Sequence, residues 1–539
     1  MLKSMLEHSK LLGDSFEYVS YAALILFVLF TIYEILQIGK RNPRLPPGPP
    51  TVPIFGNFLQ IPKKNVHLKF QEWAKTYGPI YSLILGTKVV IVLNSPDAIK
   101  ELLDKKSTIY SSRPEIYVGQ DLISGGLRFV FLPYNDTWRM ARKMIHKLLN
   151  IKAAVKYIPY QEQENRQMMV DLLNNPDDFH KHLRRYSTSL TTQLVFGWRS
   201  PLYEDPKVSQ IFEGFEKFAV ASQISHSLMD YFPILRYVPD FLNPSARQAK
   251  ELHKEEKALY MSYMVNCREA IKEGKVGPCF CADMLESQKK LGFSDDLACY
   301  ISGTLLEAGS DTTAGVLVGF IMAMVCFPEV QKIAREEVDR VVGPDRMPTM
   351  DDEENLQYIR WVEKETLRWM PTSIMGIAPH SANKDDEYMG YWIPAGAHVI
   401  NNVWTLNHDE KRYPKPREFK PERYVNDSLR AGESAALSDA NLRDHFTFGA
   451  GRRICPGMHL AERSLFLAMA RILWTFEISH ATDSEGNEIP VNPLAISGGI
   501  VARHEPFKAK FTVRSKSKED LVRGQWAETE ATFEKDKLF

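Results

Sequence analysis

Residues 295–326, DDLACYISGTLLEAGSDTTAGVLVGFIMAMVC, constrain the fold more than any other stretch. They are apolar almost throughout, and Pro328 closes the run. At about 1.5 Å per residue, a helix of this length could cross a whole domain. Gly309 and Asp311-Thr312-Thr313 interrupt it. Threonine hydroxyls bond back to helix carbonyls and bend the chain, and a glycine leaves room for a ligand against the backbone. A kinked core helix with a polar turn is the bland reading. It would leave an acid and two hydroxyls in an oily run without purpose.

A second apolar run lies at the N-terminus. Residues 18–33, YVSYAALILFVLFTIY, carry no charge, and with Ile35, Leu36 and Ile38 the run reaches bilayer-spanning length. No small-residue cleavage pattern follows it. Lys40, Arg41 and Arg44 follow instead, which places the bulk of the chain on the cytosolic side. A buried core helix is the alternative, disfavoured by the terminal position and the lack of a polar face. LPPGPP, residues 45–50, then reads as a stiff spacer. The expected organisation is a short lumenal segment (1–17), a transmembrane signal-anchor (18–38), a basic and proline-rich hinge (39–50), one catalytic body (51–514) and a polar, loosely held tail (515–539).

Composition narrows the class. The 67 basic and 67 acidic residues balance, so no global field argues for nucleic acid. Six cysteines in 539 residues do not form a disulfide framework. Cys279 and Cys281 have no partner pair at zinc spacing. Residues 80–96 read as a hairpin around Gly-Thr-Lys. Residues 136–342 are mostly helical in pattern, and short strands with turns at Gly390 and at 394–396 follow Pro379. Residues 495–503 and 507–514 read as a final hairpin. The predicted class is mostly α with small β-sheets, an α+β fold.

The stretch FTFGAGRRICPGMHLAE (446–462) carries the candidate chemistry. A lone cysteine is more often a small buried hydrophobe than a reactive group. Gly449-Ala450-Gly451 fails as a dinucleotide fingerprint, because the third glycine would fall at Ile454. Covalent c-type haem attachment needs a second cysteine. A thiol hydrolase needs a partner histidine that nothing here specifies. A metal-bound thiolate fits better. Pro456-Gly457 opens a helix, whose free N–H groups and positive dipole end lower the pKa of the Cys455 thiol. Arg452 and Arg453 add positive charge for a sulfur anion or for cofactor carboxylates. Phe448 can lie against a flat ring, and Gly449 and Gly451 permit close backbone approach.

The pattern Phe448-x-x-Gly451-x-Arg453-x-Cys455-x-Gly457 resembles the haem-binding loop of cytochromes P-450 at every position. LEAGSDTTAG (306–315) is similar to the family's oxygen-activation motif, and EKETLRWMP (363–371) to its Glu-x-x-Arg motif. KPREFKPERY (415–424) supplies Pro-Glu-Arg, in the expected order. The resemblance spans the anchor to about Arg514 and implies the P-450 fold behind one N-terminal transmembrane helix. It assigns Cys455 as axial ligand of haem b iron, Thr312 to hydrogen bonding at the iron-bound oxygen, and Asp311 to proton delivery. It points to Trp138, Arg142, His380 and Arg453 around the haem carboxylates. Glu365, Arg368 and Arg423 become a structural ion network behind the loop.

The implied activity is a haem-thiolate monooxygenase of microsomal type, resembling fungal members that tailor secondary metabolites. It would oxidise a hydrophobic small molecule on the endoplasmic reticulum membrane. The chain has no flavin or nicotinamide fingerprint, so electrons come from a separate protein; the resemblance implies NADPH–cytochrome reductase, which makes NADPH an indirect donor, with cytochrome b5 as a second partner. Arg139, Lys143, Lys147, Lys411, Arg412 and Arg452 are candidate steering charges for that partner. Substrate contacts are expected from residues 117–130, 218–231, 305–308, 373–377 and 497–500. Two rivals are a haem-thiolate isomerase or dehydratase without external oxygen, and a non-catalytic haem-binding membrane protein.

Overall fold

The computed structural model describes residues 2–222, 228–497 and 501–536. The expected substrate segments at 223–227 and 498–500 lie outside them. Helix α1 (Leu2–Gln37) carries the N-terminal apolar run without a break, so the residues expected as a lumenal segment continue the same helix. Its 18-residue window Ser20–Gln37 has a mean hydropathy of 1.7 and no buried residue. The helix presents Leu24, Leu26, Phe27 and Phe30 to the surroundings.

The proline-rich hinge is tied to the body along its length. Leu45 is buried, and Ser82 N–H donates to the Pro47 carbonyl at 2.8 Å. Arg41 donates to the Gly48 and Ser82 carbonyls at 2.7 and 2.9 Å. A proline-rich strand has unspent carbonyls, and a neighbouring strand edge supplies their donors. The linker is therefore docked on the body.

Strands β1 (Ile80–Leu85) and β2 (Lys88–Leu93) form the expected hairpin, with Ile80 opposite Leu93 and Leu85 opposite Lys88. Gly86 turns it at φ +57°, where an added Cβ would meet the Tyr231 carbonyl at 2.4 Å. β3 (His380–Ser381), β4 (Asp386–Tyr388), β5 (Tyr391–Ile393) and β6 (His398–Asn401) follow much later in the chain. The main sheet runs β1-β2-β6-β3, with β2 and β6 parallel.

Helices supply the rest: α2 (Asp136–Leu149), α3 (Ile158–Asn174), α4 (Phe179–Phe196), α5 (Pro206–Ala221), α6 (Pro244–Lys272), α7 (Asp295–Cys326), α8 (Gln357–Trp369), α9 (Met458–Thr475) and α10 (Lys516–Asp536). Helix α7 is the 32-residue apolar run. The Ser294 hydroxyl caps it, accepting from Leu297 N–H at 3.2 Å. It is mostly buried, so its hydropathy belongs to the core and not to a membrane. Its C-terminal half packs with α3, α4, α8 and α9 in the largest apolar cluster. At Gly309 an added Cβ would stand 2.5 Å from Thr191 Oγ1 on α4. Gly309 lets α4 approach closely and still borders the cavity described below.

Two expectations fail at the C-terminus. β8 (Ile496–Ser497) pairs with β9 (Arg503–His504), but β10 (Ala509–Val513) pairs with β7 (Phe476–His480), with Phe511 opposite Ile478. Phe511 packs edge-on to Phe476 and against Phe179 of α4, burial that a local hairpin would forgo. The polar tail is also not loose. It forms α10, fully buries Val522, and ties down through Arg166 to Thr529 at 2.8 Å and Lys518 to Asp339 at 3.0 Å. A narrow contact face suffices to order a helix whose composition is polar.

Candidate active site

A cavity of about 330 Å³ lies between α7 and the loop before α9. Its walls include Cys455, Phe448, Arg453, Trp138, Arg142, His380 and Thr312. Of the sequence-predicted cofactor and catalytic residues, only Asp311 is missing from the lining.

The loop is shaped by its glycines and its hydrogen bonds. Gly451 adopts φ +64°, and an added Cβ would stand 2.1 Å from the Leu103 carbonyl. Asp104 accepts from Gly451 N–H at 2.8 Å, and Cys455 N–H donates to the Phe448 carbonyl at 2.9 Å. Cys455 is half-buried, its sulfur at the cavity wall. The N–H groups of Gly457 and Met458 and the charge of Arg142 favour its thiolate, as the helix start predicts. Burial nonetheless dominates and pushes the thiol up. A compensating positive centre at the sulfur is what this arrangement calls for.

Three guanidiniums face the same cavity, and each donates only to main-chain carbonyls. Arg453 holds Ser111 and Leu132 at 2.8 and 2.6 Å, and Arg142 holds Ile454 at 2.7 Å. Arg113 holds Val130, Ala378 and Pro379 at 3.0, 2.6 and 3.0 Å. No carboxylate pairs with them among the described residues. Burial, then the neighbouring Arg113 and Arg142, push Arg453 down to about 8. Burial pushes Arg113 down to about 9. His380 Nδ1–H donates to the Tyr110 carbonyl at 2.8 Å, so its Nδ1 carries the proton. Burial and then Arg113 hold its pKa well below the usual imidazole range. The Trp138 indole N–H is buried without a partner, under the Arg453 guanidinium 4.3 Å from its ring. Cations that have lost water without gaining an anion fit a dianionic ligand. Together with the thiol and the apolar walls, the donor set fits haem b with its two carboxylates.

Arg113 was not singled out from the sequence. Its signal is faint, an arginine before Pro114 in SSRPE, a setting that usually marks a turn.

On α7 the motif residues diverge. Thr312 faces the cavity, its hydroxyl donating to the Ala308 carbonyl at 2.6 Å. Asp311 points elsewhere, buried and paired with Arg503 Nε of β9 at 2.8 Å. The acid that does line the cavity is Glu307, one turn earlier.

Behind the loop, Arg368 makes a bidentate pair with Glu365, both contacts 2.7 Å. Glu365 also accepts from Lys420 N–H at 2.8 Å and Arg423 Nε at 3.3 Å. Arg368 donates to the Asn407 carbonyl at 2.8 Å, and the Asn407 side chain accepts from Phe446 N–H at 2.9 Å. Thr447 Oγ1 donates to the Leu367 carbonyl at 2.6 Å. Asn407 thus links the ion network to the loop, a role its place in VWTLNHD does not announce. Among the basic residues proposed for steering, Arg412 turns inward to the Arg443 carbonyl at 2.5 Å and stacks on Phe446, which withdraws its charge from a docking surface.

The Cytochrome P450 family model matches residues 46–511. A cytochrome P450 monooxygenase, virE, of Hypocrea virens is 48% identical over 478 residues, covering 88% of this chain and 86% of the relative. The cytochrome P450 monooxygenase fogE of Aspergillus ruber is 48% identical over 485 residues, 88% of each chain. The fsoB enzyme of Humicola fuscoatra, with the same description, is 44% identical over 480 residues, again 88% of each. These matches run through the sheet, the long apolar helix and the cysteine loop alike, and they place the chain in the cytochrome P450 family as a monooxygenase.

Proposed function

We propose that this protein is a membrane-anchored haem-thiolate monooxygenase that oxidises a hydrophobic small molecule in secondary metabolism, with electrons from NADPH delivered by a separate reductase. One observation carries the reading: a thiol and three carboxylate-free guanidiniums converge on one cavity. Haem b bound there supplies oxygen activation, which a thiolate ligand promotes by donating electron density to iron. Cys455 would supply the thiolate that holds its iron. Arg113, Arg142 and Arg453, with Trp138 Nε1, would hold the carboxylates, His380 would join them through Nε2 on gaining a second proton, and Phe448 would pack beside the ring.

The remaining tasks fall to the chain. Thr312 presents the only hydroxyl of its motif besides Thr313 to the cavity and holds a proton beside the reacting oxygen. Asp311, beside it in sequence but held by Arg503 behind the cavity wall, is the acid from which that proton is replaced. Leu190, Leu194, Phe215, Phe218 and Val501 give the cavity an apolar wall that admits a hydrophobic substrate and excludes water. Helix α1 anchors the chain in the endoplasmic reticulum membrane, supported by its exposed apolar surface.

A carbon monoxide difference spectrum of the reduced protein tests this. The wild type is expected to show the long-wavelength Soret band of thiolate ligation, and Cys455→Ser to lose it. A wild type without that band overturns the assignment.

A further inference from the structure

Apart from the three guanidiniums and the thiol, the cavity has a further charged patch, at Arg128 and Glu307. The Arg128 guanidinium is sandwiched between the carboxylates of Glu256 on α6 and Glu307 on α7. Its Nε donates to Ser124 Oγ at 2.9 Å, and it lies 3.7 Å from the Phe218 ring centroid. The Tyr260 hydroxyl donates to Glu307. All four side chains are buried. Two carboxyl groups share one guanidinium in a dry site, an arrangement that costs stability unless one keeps a proton or further donors reach it.

Only part of this cluster meets the cavity. Arg128 and Glu307 line it, whereas Glu256 and Tyr260 do not. Glu307 accepts from Arg128 and Tyr260, which fills about half of a carboxylate's acceptor sites. A cluster serving only to brace α6 against α7 would close its acceptors inside protein, as Glu365 does with Arg368, Arg423 and the Lys420 amide. Glu307 instead borders the substrate space with two protein donors on its oxygens. It precedes Thr312 by five residues on α7, about 7.5 Å along the helix axis.

We propose that Glu307, fixed by Arg128 and Tyr260, is a specificity-determining residue that accepts a hydrogen bond from a hydroxyl group on an otherwise hydrophobic substrate. This rests on the monooxygenase reading and names its substrate class. The hydroxyl end is held at Glu307, and a carbon some distance along the molecule is brought to Thr312. The Glu307 carboxylate accepts from neutral hydroxyl compounds and repels a second carboxylate.

The test uses the purified full-length holoenzyme and three probes on one skeleton: butylbenzene, 4-phenylbutan-1-ol and 4-phenylbutanoate. Binding is read by equilibrium dialysis. The wild type is expected to bind the alcohol about tenfold more tightly than the hydrocarbon, as a hydrogen bond to a charged acceptor gives, and the carboxylate most weakly. Glu307→Gln should lose most of the alcohol preference and recover carboxylate binding. Glu256→Gln, which alters the same cluster behind the wall, should keep the alcohol preference. Equal wild-type affinity for alcohol and hydrocarbon overturns the proposal without any variant. Equal loss in both variants overturns it too, since that is the mark of a bracing role alone. The carbon monoxide spectrum of each sample reports the haem-thiolate reading separately, so failure of one is distinguishable from failure of the other.

Discussion

Two buried ion clusters flank the cavity, and they differ in how they are closed. Behind the cysteine loop, Glu365 is fully buried, with a bidentate arginine, a second arginine and a main-chain amide on its oxygens. Above the cavity, Arg128 is shared by Glu256 and Glu307, and one of those acids borders empty volume. The first cluster has no surface left for a ligand and passes its order on through Asn407 to Phe446 and Thr447. The second keeps capacity in reserve. A buried charge that is saturated by protein holds a fold, and one left partly open can discriminate among ligands.

The largest expected effect breaks the closed cluster. Glu365→Ala leaves Arg368 buried and uncompensated, which costs about 3–5 kcal/mol. Thermal melting and haem content of the purified variant should both fall sharply. Retention of both would show that the loop is braced elsewhere.

A smaller effect separates the clusters by pH. Burial pushes Glu256 up to about 7, with Arg128 opposing. The folded protein therefore keeps a proton there that the unfolded chain releases above about pH 4.5. The stability associated with Glu256 is full below that pH and is lost as pH rises toward 7, by at most about 1.4 kcal/mol per pH unit. Relative to Glu256→Gln, wild-type stability in denaturant titrations should decline across this window. A pH-independent difference would sink the assignment of an extra proton to the roof.

The smallest effect probes the rim of the closed cluster. Arg423 reaches Glu365 at 3.3 Å through one nitrogen, while its other end holds the Lys415 carbonyl at 3.0 Å. Arg423→Met should cost about 1–2 kcal/mol and leave cofactor content unchanged. A loss as large as that of Glu365→Ala would make Arg423 an equal member of the network.

Legibility followed sequence separation. Glu365 and Arg368 are three apart on one helix, so their pairing could be read directly. The cysteine loop is equally local, since its glycines, arginine and helix start lie within a dozen residues. Arg113 escaped notice because its partners are carbonyls of residues 130, 378 and 379. The roof cluster joins residues 128, 256, 260 and 307: two of them fall in segments expected to contact substrate, but the acid and tyrosine of α6 that fix them read as ordinary polar residues. The pairing of β10 with β7 and the docking of α10 were hidden for the same reason.

The sequence by itself determined the long apolar helix, the hairpin at residues 80–93 and the loop that presents Cys455, because periodicity, turn residues and helix starts act over a few residues of chain. Only the tertiary structure decided that Asp311 turns to Arg503 while Glu307 meets the cavity. It also decided that three arginines converge on the cavity with no carboxylate beside them. Which charges face each other depends on how distant segments pack, and burial then decides what each charge requires.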